Sequence, residues 1–437
     1  MQRICEQVRR RQGEAKAQNL ACNINTRTLL AIHEQTDGRK ATGVDGMTKE
    51  DYSAGIEDRL DTLVSRMRNE SYKPQASRRV YIDKPGSDEK RPLGISCYED
   101  KLVEKAVAQL LEIVYEPIFF GFSYGYRPGR NCHQAAGKLI DEIQHHKVNF
   151  VVEADIRSFF DTLDHEWLIK FLEHDIADRK FIDIVRKLLK AGVMEDGKLH
   201  DSEKGTPQGS GASAILANVY LHYALDMWFA VAVSRGACRG EAYLTRYADD
   251  FVCCFQYRSD AEKFYKALEA RMAKFNLALA PEKTRVLEFG RFAEANRAAR
   301  GLGKPETFSF LSFTFYCSKN RAKTYFRVKV KSSRKRVNSK LKKCEAWLKA
   351  NRHKLDVKTM IQRLNRSLIG HYNYFAVTDN YPSVISFRSQ VLKLLFKWVN
   401  RRSQKRSYSW AQFSTRILAR FPLAMPVTKA KLYGRAH

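Results

Sequence analysis

Two neighbouring carboxylates stand inside an apolar segment of the sequence, where a buried strand normally excludes charge. Asp249 and Asp250 belong to a Tyr-Ala-Asp-Asp sequence within the apolar run 244–255, and Asp155 ends a second apolar run, 150–155. Burying an unpaired carboxylate costs several kcal/mol, so acids in these places indicate a bound divalent cation. Carboxylates from two strand ends are what a two-metal phosphoryl-transfer centre needs, because paired cations hold the attacking and leaving oxygens.

The four-residue motif has a plain alternative explanation. A Tyr-x-Asp-Asp match also arises by accident in a chain of this length, and it would then be a hairpin whose turn happens to be acidic. A motif match is a hypothesis until its context agrees. The decision therefore depends on the rest of the chain.

The chain is strongly basic, and the excess charge is concentrated at one end. Its 77 Lys+Arg and 48 Asp+Glu give a formal charge of +29, which favours a polyanionic partner or an anionic membrane surface. Residues 301–437 alone hold 31 Lys+Arg and 4 Asp+Glu. Aromatic residues lie between these cations, a combination typical of RNA binding. For any single ring, however, packing in a helix core is the simpler explanation.

The composition excludes several classes of protein. The most apolar stretch, 214–233, is interrupted by Asn218, His222 and Asp226, whereas a membrane span needs about 20 predominantly apolar residues. The N-terminus lacks the apolar core of a signal peptide. Nine Cys, an odd number without framework spacing, point to a reducing compartment. The sequence has no Cys-x-x-Cys pattern, so a structural zinc site is not expected. We therefore expect a cytoplasmic protein with no membrane partner.

Hydrophobic periodicity predicts the elements that must position the acids. Helices are predicted over 55–72, 98–115, 165–174, 179–190, 213–230, about 357–375 and about 382–402. A hairpin is predicted from a strand at 80–82, a turn at 85–88 and a return through 91–95. Residues 1–40 are charged and helix-prone with no clear core face, so they are predicted to form an N-terminal extension. The glycine-flanked loop 205–209 allows the backbone to approach a ligand closely.

The chain resembles the reverse transcriptases encoded by bacterial and organellar group II introns, also called intron maturases. The resemblance runs from about Thr42 to the C-terminus and depends on ordered blocks that are each weak alone. They are Thr42-Gly-Val-Asp-Gly46, Lys90-Arg-Pro-Leu-Gly-Ile95, Phe122-Ser-Tyr-Gly-Tyr-Arg-Pro-Gly-Arg130, 155–165, Gly205-Thr-Pro-Gln-Gly209, Leu216-Ala-Asn218, Arg246-Tyr-Ala-Asp-Asp250, Lys283-Thr284, Phe310-Leu-Ser-Phe313 and 364–374.

The resemblance implies an α+β fold, a right-hand polymerase with fingers and an antiparallel-sheet palm followed by an α-helical thumb (maturase X) domain. The implied divisions are an N-terminal extension at 1–40, fingers and palm at 41–300, thumb and domain X at 301–380, and a basic, DNA-contacting helical region at 381–437. No endonuclease with clustered metal ligands is expected after it.

The resemblance also assigns roles at the catalytic centre. Asp155, Asp249 and Asp250 are the implied catalytic residues, and the implied metal-binding set adds Ile156. Two Mg²⁺ ions, with Mn²⁺ as a possible substitute, suit such oxygen ligands.

Four further residues are implied to contact the nucleotide. Lys84 and Arg91 would project from the fingers hairpin towards the triphosphate, although either residue could equally be an exposed hairpin charge. Phe160 would lie beneath the sugar and clash with a ribose 2′-hydroxyl, which favours deoxynucleotides. Gln208 would contact a template base or the nucleotide, unless its loop is an ordinary turn.

The implied function is an RNA-directed DNA polymerase of a group II intron in the bacterial cytoplasm. Its partners would be an RNA template, a DNA or RNA primer, deoxynucleoside triphosphates, the intron RNA and the target DNA. Six cations on a C-terminal helix are expected to face outward and bind RNA: Arg334, Lys335, Arg336, Lys340, Lys342 and Lys343.

Two alternatives stay open at this point. One is a splicing maturase with secondary polymerase activity, and the other is a related enzyme recruited to phage defence or a CRISPR locus. The sequence also departs from the usual family pattern at Ser96, 210–214 and Ser312. These changes spare the carboxylates but lie close to the expected nucleotide site.

Overall fold

A mixed arrangement of helices and antiparallel sheets is seen in the computed structural model, which describes residues 16–83, 90–201, 203–320, 322–402 and 407–432. The helices are α1 Thr26–Glu34, α2 Lys49–Ser53, α3 Ile56–Arg68, α4 Tyr98–Tyr115, α5 Cys132–His145, α6 Phe159–Thr162, α7 His165–Asp175, α8 Arg179–Lys190, α9 Ser213–Leu221, α10 Arg258–Lys274, α11 Ala293–Ala299, α12 Arg334–Asn351, α13 Val357–Phe375, α14 Tyr381–Val399 and α15 Trp410–Gln412. A 3₁₀ turn, Ala21–Asn23, precedes α1. Wider π-helical turns continue α9 through His222–Asp226 and Phe229–Ala237, and α15 through Phe413–Leu418.

Eleven strands in the described residues form three sheets. The strands are β1 Ser77–Asp83, β2 Lys90–Ile95, β3 Phe150–Asp155, β4 Val193–Glu195, β5 Lys198–His200, β6 Ala242–Tyr247, β7 Asp250–Phe255, β8 Arg285–Glu288, β9 Phe308–Phe310, β10 Phe313–Lys319 and β11 Phe326–Ser332. The sheet orders are β2-β1-β4-β5, β6-β7-β3-β8 and β11-β10-β9. All neighbouring strands are antiparallel except β1 and β4, which are parallel.

The central sheet, β6-β7-β3-β8, is buried on both faces. Side chains alternate along a strand with period two, so Val152 of β3 and Cys253 of β7 pack into the core shared with α4, α7 and α9. Val151 and Cys254 point to the other face and pack with α5 and the sheet β11-β10-β9. This double burial explains why both strands read as continuous apolar runs.

The sequence marks many helix starts with polar caps. The Asn131 side-chain oxygen accepts a hydrogen bond from the Gln134 backbone N–H, and the Gln134 side-chain oxygen accepts one from the Asn131 backbone N–H. Asp164 and Asp178 cap α7 and α8 in the same way through single bonds. Each cap satisfies a backbone N–H that the helix leaves unpaired.

The predicted elements are largely present. Helices predicted over 98–115 and 179–190 match α4 and α8 residue for residue, and the predicted hairpin is β1 paired with β2. Its turn lies outside the described residues. The mixed α and β class is confirmed. The expectation that residues 1–40 have no core face is wrong, because Leu29 and Ile32 of α1 are buried against α3 and α4.

The helix after the glycine-flanked loop is the most apolar of the described chain. By length and composition alone, Ser213–Val231 could cross a membrane, but 67% of its most apolar window is buried inside the protein. Two of its polar residues bond to neighbouring elements. Asn218 donates to the Gly125 carbonyl at 2.7 Å. Asp226 accepts from Arg246 at 2.7 and 2.5 Å. We therefore identify it as a core helix of the central sheet.

A fully buried ion pair joins that helix to the sheet. The side chains of Arg246 and Asp226 are both 0% exposed. Removing one partner would leave an uncompensated buried charge, so we expect Arg246→Met to lower the free energy of unfolding by about 3–5 kcal/mol. The double change Arg246→Met with Asp226→Leu should recover most of this loss, because neither charge remains. Urea denaturation followed by circular dichroism measures both effects.

The exposed ion pair of Arg258 and Glu262, at 2.8 Å, gives a matched control. Arg258→Met should cost less than about 1 kcal/mol, because surface pairs are screened by water. Equal losses for the two arginines would contradict the importance assigned to the buried pair.

Candidate active site

The three acidic residues meet where two neighbouring strands of the central sheet end. Asp155 is the last residue of β3 and lies directly opposite Asp250, the first residue of β7. Residues paired in this way have Cα atoms about 4.5–5.5 Å apart. Tyr247 pairs with Asp250 across the hairpin, so Ala248 and Asp249 form a two-residue turn. The hairpin predicted from the apolar run is thus present, with both carboxylates at its tip.

The buried Arg246 side chain holds the turn at Ala248 and Asp249 in place. The guanidinium of Arg246 donates to the Ala248 carbonyl at 3.1 Å and to Asn218 Oδ1 at 3.0 Å. Ala248 has a φ of +57°, a left-handed conformation that a non-glycine residue seldom adopts. These contacts hold the backbone in that conformation.

A second chain segment presses against the turn from the side. A Cβ placed on Gly125 would lie 2.3 Å from the Ala248 nitrogen, so only glycine fits. The Tyr124 backbone N–H donates to the Arg246 carbonyl at 2.9 Å. The segment 121–130, one of the blocks that carried the family resemblance, therefore positions the acidic turn.

The acidic residues carry more negative charge than their surroundings offset. Burial, together with the nearby Asp249 and Asp155, raises the pKa of Asp250 to about 7, although the Leu311 backbone N–H donates to it at 3.2 Å. Burial is also the main cause that raises the pKa of Asp249, and Arg91 partly offsets this rise. A pKa raised by burial and like charges marks a site that favours a bound cation.

One cation of the protein pairs directly with an acid of this site. The ammonium of Lys283 lies 2.5 Å from Asp155 Oδ2. Among the described residues, no three His, Cys, Asp or Glu side chains stand close enough to form a ready metal cage.

The donors nevertheless suit a hard divalent cation. All the side-chain donors are carboxylate oxygens, which Mg²⁺ prefers, and the Lys283 ammonium already contacts one of them. Ile156, the fourth member of the predicted metal set, has a buried apolar side chain. Only its main-chain carbonyl oxygen could contact a metal.

The acids line a cavity of about 690 Å³ that also receives cations from three other elements. Arg91 reaches it from β2, Arg285 from β8 and Arg336 from α12. Arg91 is thus where the sequence placed it, whereas its predicted companion Lys84 lies outside the described residues. Arg336, predicted only as an RNA contact, lies beside the carboxylates.

Phe160 and Gln208 are tied to this region through their backbones. The Phe160 carbonyl accepts from the Thr206 N–H at 2.8 Å, and the Gln208 carbonyl accepts from the Gly94 N–H at 2.9 Å. Gly205 makes the close approach possible, because its φ is +81° and a Cβ there would lie 2.8 Å from the Phe160 carbonyl. Neither the Phe160 nor the Gln208 side chain lines the cavity that holds the acids.

The two adjacent phenylalanines differ in burial. Phe159 is 2% exposed, and Phe160 is half-buried. They lie in the short helix α6, which follows Ser158 with a φ of +46°. Successive side chains of a helix point about 100° apart, so only one of the two rings enters the core fully.

The six predicted RNA contacts all lie on α12, but they do not share one environment. Lys340 is not outward as expected, because its ammonium lies 5.8 Å above the Phe387 ring and donates to the Ser367 carbonyl. Lys343 lies 3.4 Å from Asp83 at the end of β1. The residues exposed along the helix are Arg334, Lys335, Arg336, Lys342 and Lys343.

Sequence reasoning missed two parts of this site. Lys283 was named only as part of a family block and was given no role. Its position just before β8, which pairs with β3, could have indicated that it lies close to Asp155. The tight turn at Leu311 and Ser312, with φ values of +50° and +67°, aims the Leu311 N–H at Asp250. No residue type in the sequence announces that turn.

Comparison with known proteins agrees with the geometry. Residues 82–315, more than half of the chain, match the family described as reverse transcriptase (RNA-dependent DNA polymerase). The chain belongs to this family.

The chain is also similar to curated proteins of introns. It is 38% identical over 183 residues to the group II intron-encoded protein LtrA of Lactococcus lactis subsp. cremoris, covering 42% of this chain and 30% of LtrA. It is 38% identical over 187 residues to an uncharacterized 91 kDa protein in the cob intron of Schizosaccharomyces pombe, covering 43% and 22%. Protein YkfC of Escherichia coli is 31% identical over 242 residues, covering 49% and 63%.

These similarities confirm the resemblance to group II intron-encoded reverse transcriptases. The chain spans less than two thirds of the length of each of these relatives.

The close contact at Gly125 gives a test of how the turn is positioned. Gly125→Ala should lower primer extension about 100-fold, because a catalytic group displaced by about 1 Å loses that much rate. Gly121→Ala is the matched control, since nothing lies within 4 Å of its Cβ position. Similar activities for the two variants would show that the contact does not position the acids.

Proposed function

We propose that the protein is an RNA-directed DNA polymerase of a group II intron, which copies RNA into cDNA by two-metal nucleotidyl transfer in the bacterial cytoplasm. One observation carries the proposal: Asp155 and Asp250 are direct partners at the ends of adjacent strands, with Asp249 in the turn between β6 and β7. Three carboxylates gathered from two strand ends match the needs of such a centre.

The fold supports the corresponding division of labour. The central sheet would be the palm, the sheet with β1 and β2 the fingers, and α12 and α13 the thumb of a right-hand polymerase. The proposed divisions are those of the sequence: an extension at 1–40, fingers and palm at 41–300, thumb at 301–380 and a basic DNA-contacting region at 381–437. The strands at 308–332 share their core with α5 and the central sheet. The cavity takes lining residues from each proposed division: Arg91 from the fingers, Asp249 from the palm and Arg336 from the thumb.

In this proposal the residues of the cavity divide the work. Asp155 and Asp249 hold the divalent ions, with the Ile156 carbonyl and Asp250 contributing oxygen contacts and negative potential. Mg²⁺ bound there would lower the pKa of the primer 3′-hydroxyl and offset charge on the departing pyrophosphate. Arg91, with Lys84, binds the triphosphate, and Gln208 contacts the template base or the nucleotide.

The exposed cations of α12 would grip the template and primer, and the intron RNA. Arg336 supports this role best, because it lines the cavity that holds the acids. The Arabidopsis relative carries the name nuclear intron maturase 3, and it is 34% identical over 122 residues. That name favours assistance of intron splicing as the second activity of this chain, with target DNA as a later partner.

The carboxylates separate the two activities. Asp249→Asn and Asp155→Asn should each lower primer extension on an RNA template by about 10³-fold or more, because each removes charge that offsets the cations. RNA affinity and splicing of the parent intron should stay within about twofold of the unchanged protein. Primer extension and splicing assays measure the two activities.

Asp58→Asn, a change of the same kind on the exposed face of α3, is the control. Undiminished primer extension by Asp155→Asn or Asp249→Asn would refute the proposed two-metal centre. Loss of splicing alongside extension would instead show that the two activities share these acids.

In this proposal Phe160 determines the preference for deoxynucleotides over ribonucleotides. Phe160→Ala should raise incorporation of ribonucleotides relative to deoxynucleotides by about tenfold or more, since loss of a clash worth over about 1.4 kcal/mol changes the ratio that much. Steady-state incorporation of each nucleotide type measures it. Its buried neighbour Phe159 is the comparison: Phe159→Leu should leave the ratio unchanged. An unchanged ratio for Phe160→Ala would remove the residue from the sugar site.

A further inference from the structure

A second large cavity, of about 1200 Å³, lies away from the acidic site. Its walls are α5, the turn between β10 and β11, and the C-terminal segment 429–432. Within the part of the chain that the structure describes, no residue lines both this cavity and the one holding the carboxylates. We call it the tail groove, because the C-terminal segment forms one wall.

The C-terminal segment is seated firmly on the rest of the protein. The Lys429 N–H donates to the Ala376 carbonyl at 2.7 Å, and the Thr378 N–H donates to the Ala430 carbonyl at 3.2 Å. Leu432 is 5% exposed. A Cβ on Gly137 of α5 would lie 3.2 Å from the Leu432 carbonyl oxygen. The segment therefore lies directly on α5, and this contact leaves the Lys429 and Lys431 side chains exposed.

The lining of the tail groove carries an excess of positive charge. Arg291, Arg327, Lys429 and Lys431 all contribute to it. The one acid among its described lining residues, Asp141, lies 3.9 Å from both Lys138 and His145. Arg291 donates to the Gln144 carbonyl at 3.1 Å, and Lys429 and Lys431 are exposed at the groove.

Amide side chains add further donors. The side-chain oxygens of Asn131 and Gln134 are used by the cap of α5, and the Gln144 oxygen accepts from the Val328 N–H at 2.9 Å. In the described part of the chain, the NH₂ groups of these three amides donate to no protein acceptor. The groove thus presents donors and few acceptors, which suits an acceptor-rich polyanion.

The size and one exposed ring narrow the choice of ligand. Pockets for small molecules measure about 300–1,000 Å³, so the tail groove can hold several linked nucleotides. Tyr325, in the turn at its edge, is 74% exposed. An exposed ring beside cations is the arrangement that binds single-stranded nucleic acid by stacking.

We propose that the tail groove binds the phosphate backbone of single-stranded RNA outside the catalytic cavity, with Tyr325 stacking on a base. The proposal goes beyond the proposed function and rests on it only in the choice of RNA over DNA. An RNA strand held there would keep the protein attached to its RNA while the catalytic cavity handles the primer end.

The test removes two cations from the groove in the full chain. Lys429→Gln with Lys431→Gln should weaken binding of a labelled single-stranded RNA about tenfold or more. It should also reduce the slope of log affinity against log salt by about 1.4, because each lost phosphate contact on a single strand contributes about 0.7. Fluorescence anisotropy at several salt concentrations measures both quantities. Extension of a short annealed primer on its template should stay within about twofold.

The control removes the same charge elsewhere. Lys263→Gln with Lys266→Gln, on the exposed face of α10, should change affinity less than about twofold. Equal effects of the two double changes would overturn the proposal. So would a groove variant that loses binding only to single-stranded DNA of the same sequence. A protein that binds RNA through the groove yet extends no primer would refute the proposed function and leave this one standing.

Discussion

The burial of one guanidinium beneath an acidic turn is the constraint on which the site depends. Arg246 is 0% exposed and contacts Asp226 and Asn218 on the core helix as well as the Ala248 carbonyl. A charge in a protein interior is tolerated only when it is paired and its donors are used. The core helix, the central sheet and the acidic turn must therefore keep one relative position for all the acceptors of this guanidinium to stay within hydrogen-bond reach. That position places Asp249 and Asp250 at the sheet edge beside Asp155.

The sequence predicted those parts of the fold in which local pattern and burial agree. Hydrophobic periodicity alone predicts the apolar face of α4 and the pairing of β1 with β2. The three candidate catalytic acids could be predicted because carboxylates are rare in the apolar runs that form buried strands. By contrast, the apolar residues of α1 are four consecutive positions, 29–32, without helical spacing. Its core face becomes evident only where α3 and α4 cover Leu29 and Ile32.

What the sequence could not predict depends on contacts between distant segments. The pairing of Lys283 with Asp155 spans 128 residues, and the approach of Arg336 to the acids depends on how α12 packs. Lys340 has the sequence context of one more surface cation in a basic helix, yet it is partly buried and its ammonium lies 5.8 Å above the Phe387 ring of α14. Long side chains often bury their methylene groups in this way.

The contact between Lys343 and Asp83, at 3.4 Å, joins the helix after the third sheet to the end of the first strand. Both side chains are more than half exposed, at 61% and 68%, and such a pair is worth at most about 1 kcal/mol in water. A pair this weak gives up its lysine readily to a stronger anionic partner. In the proposed function, a nucleic-acid backbone that reaches α12 would therefore compete with Asp83 for Lys343 by charge alone.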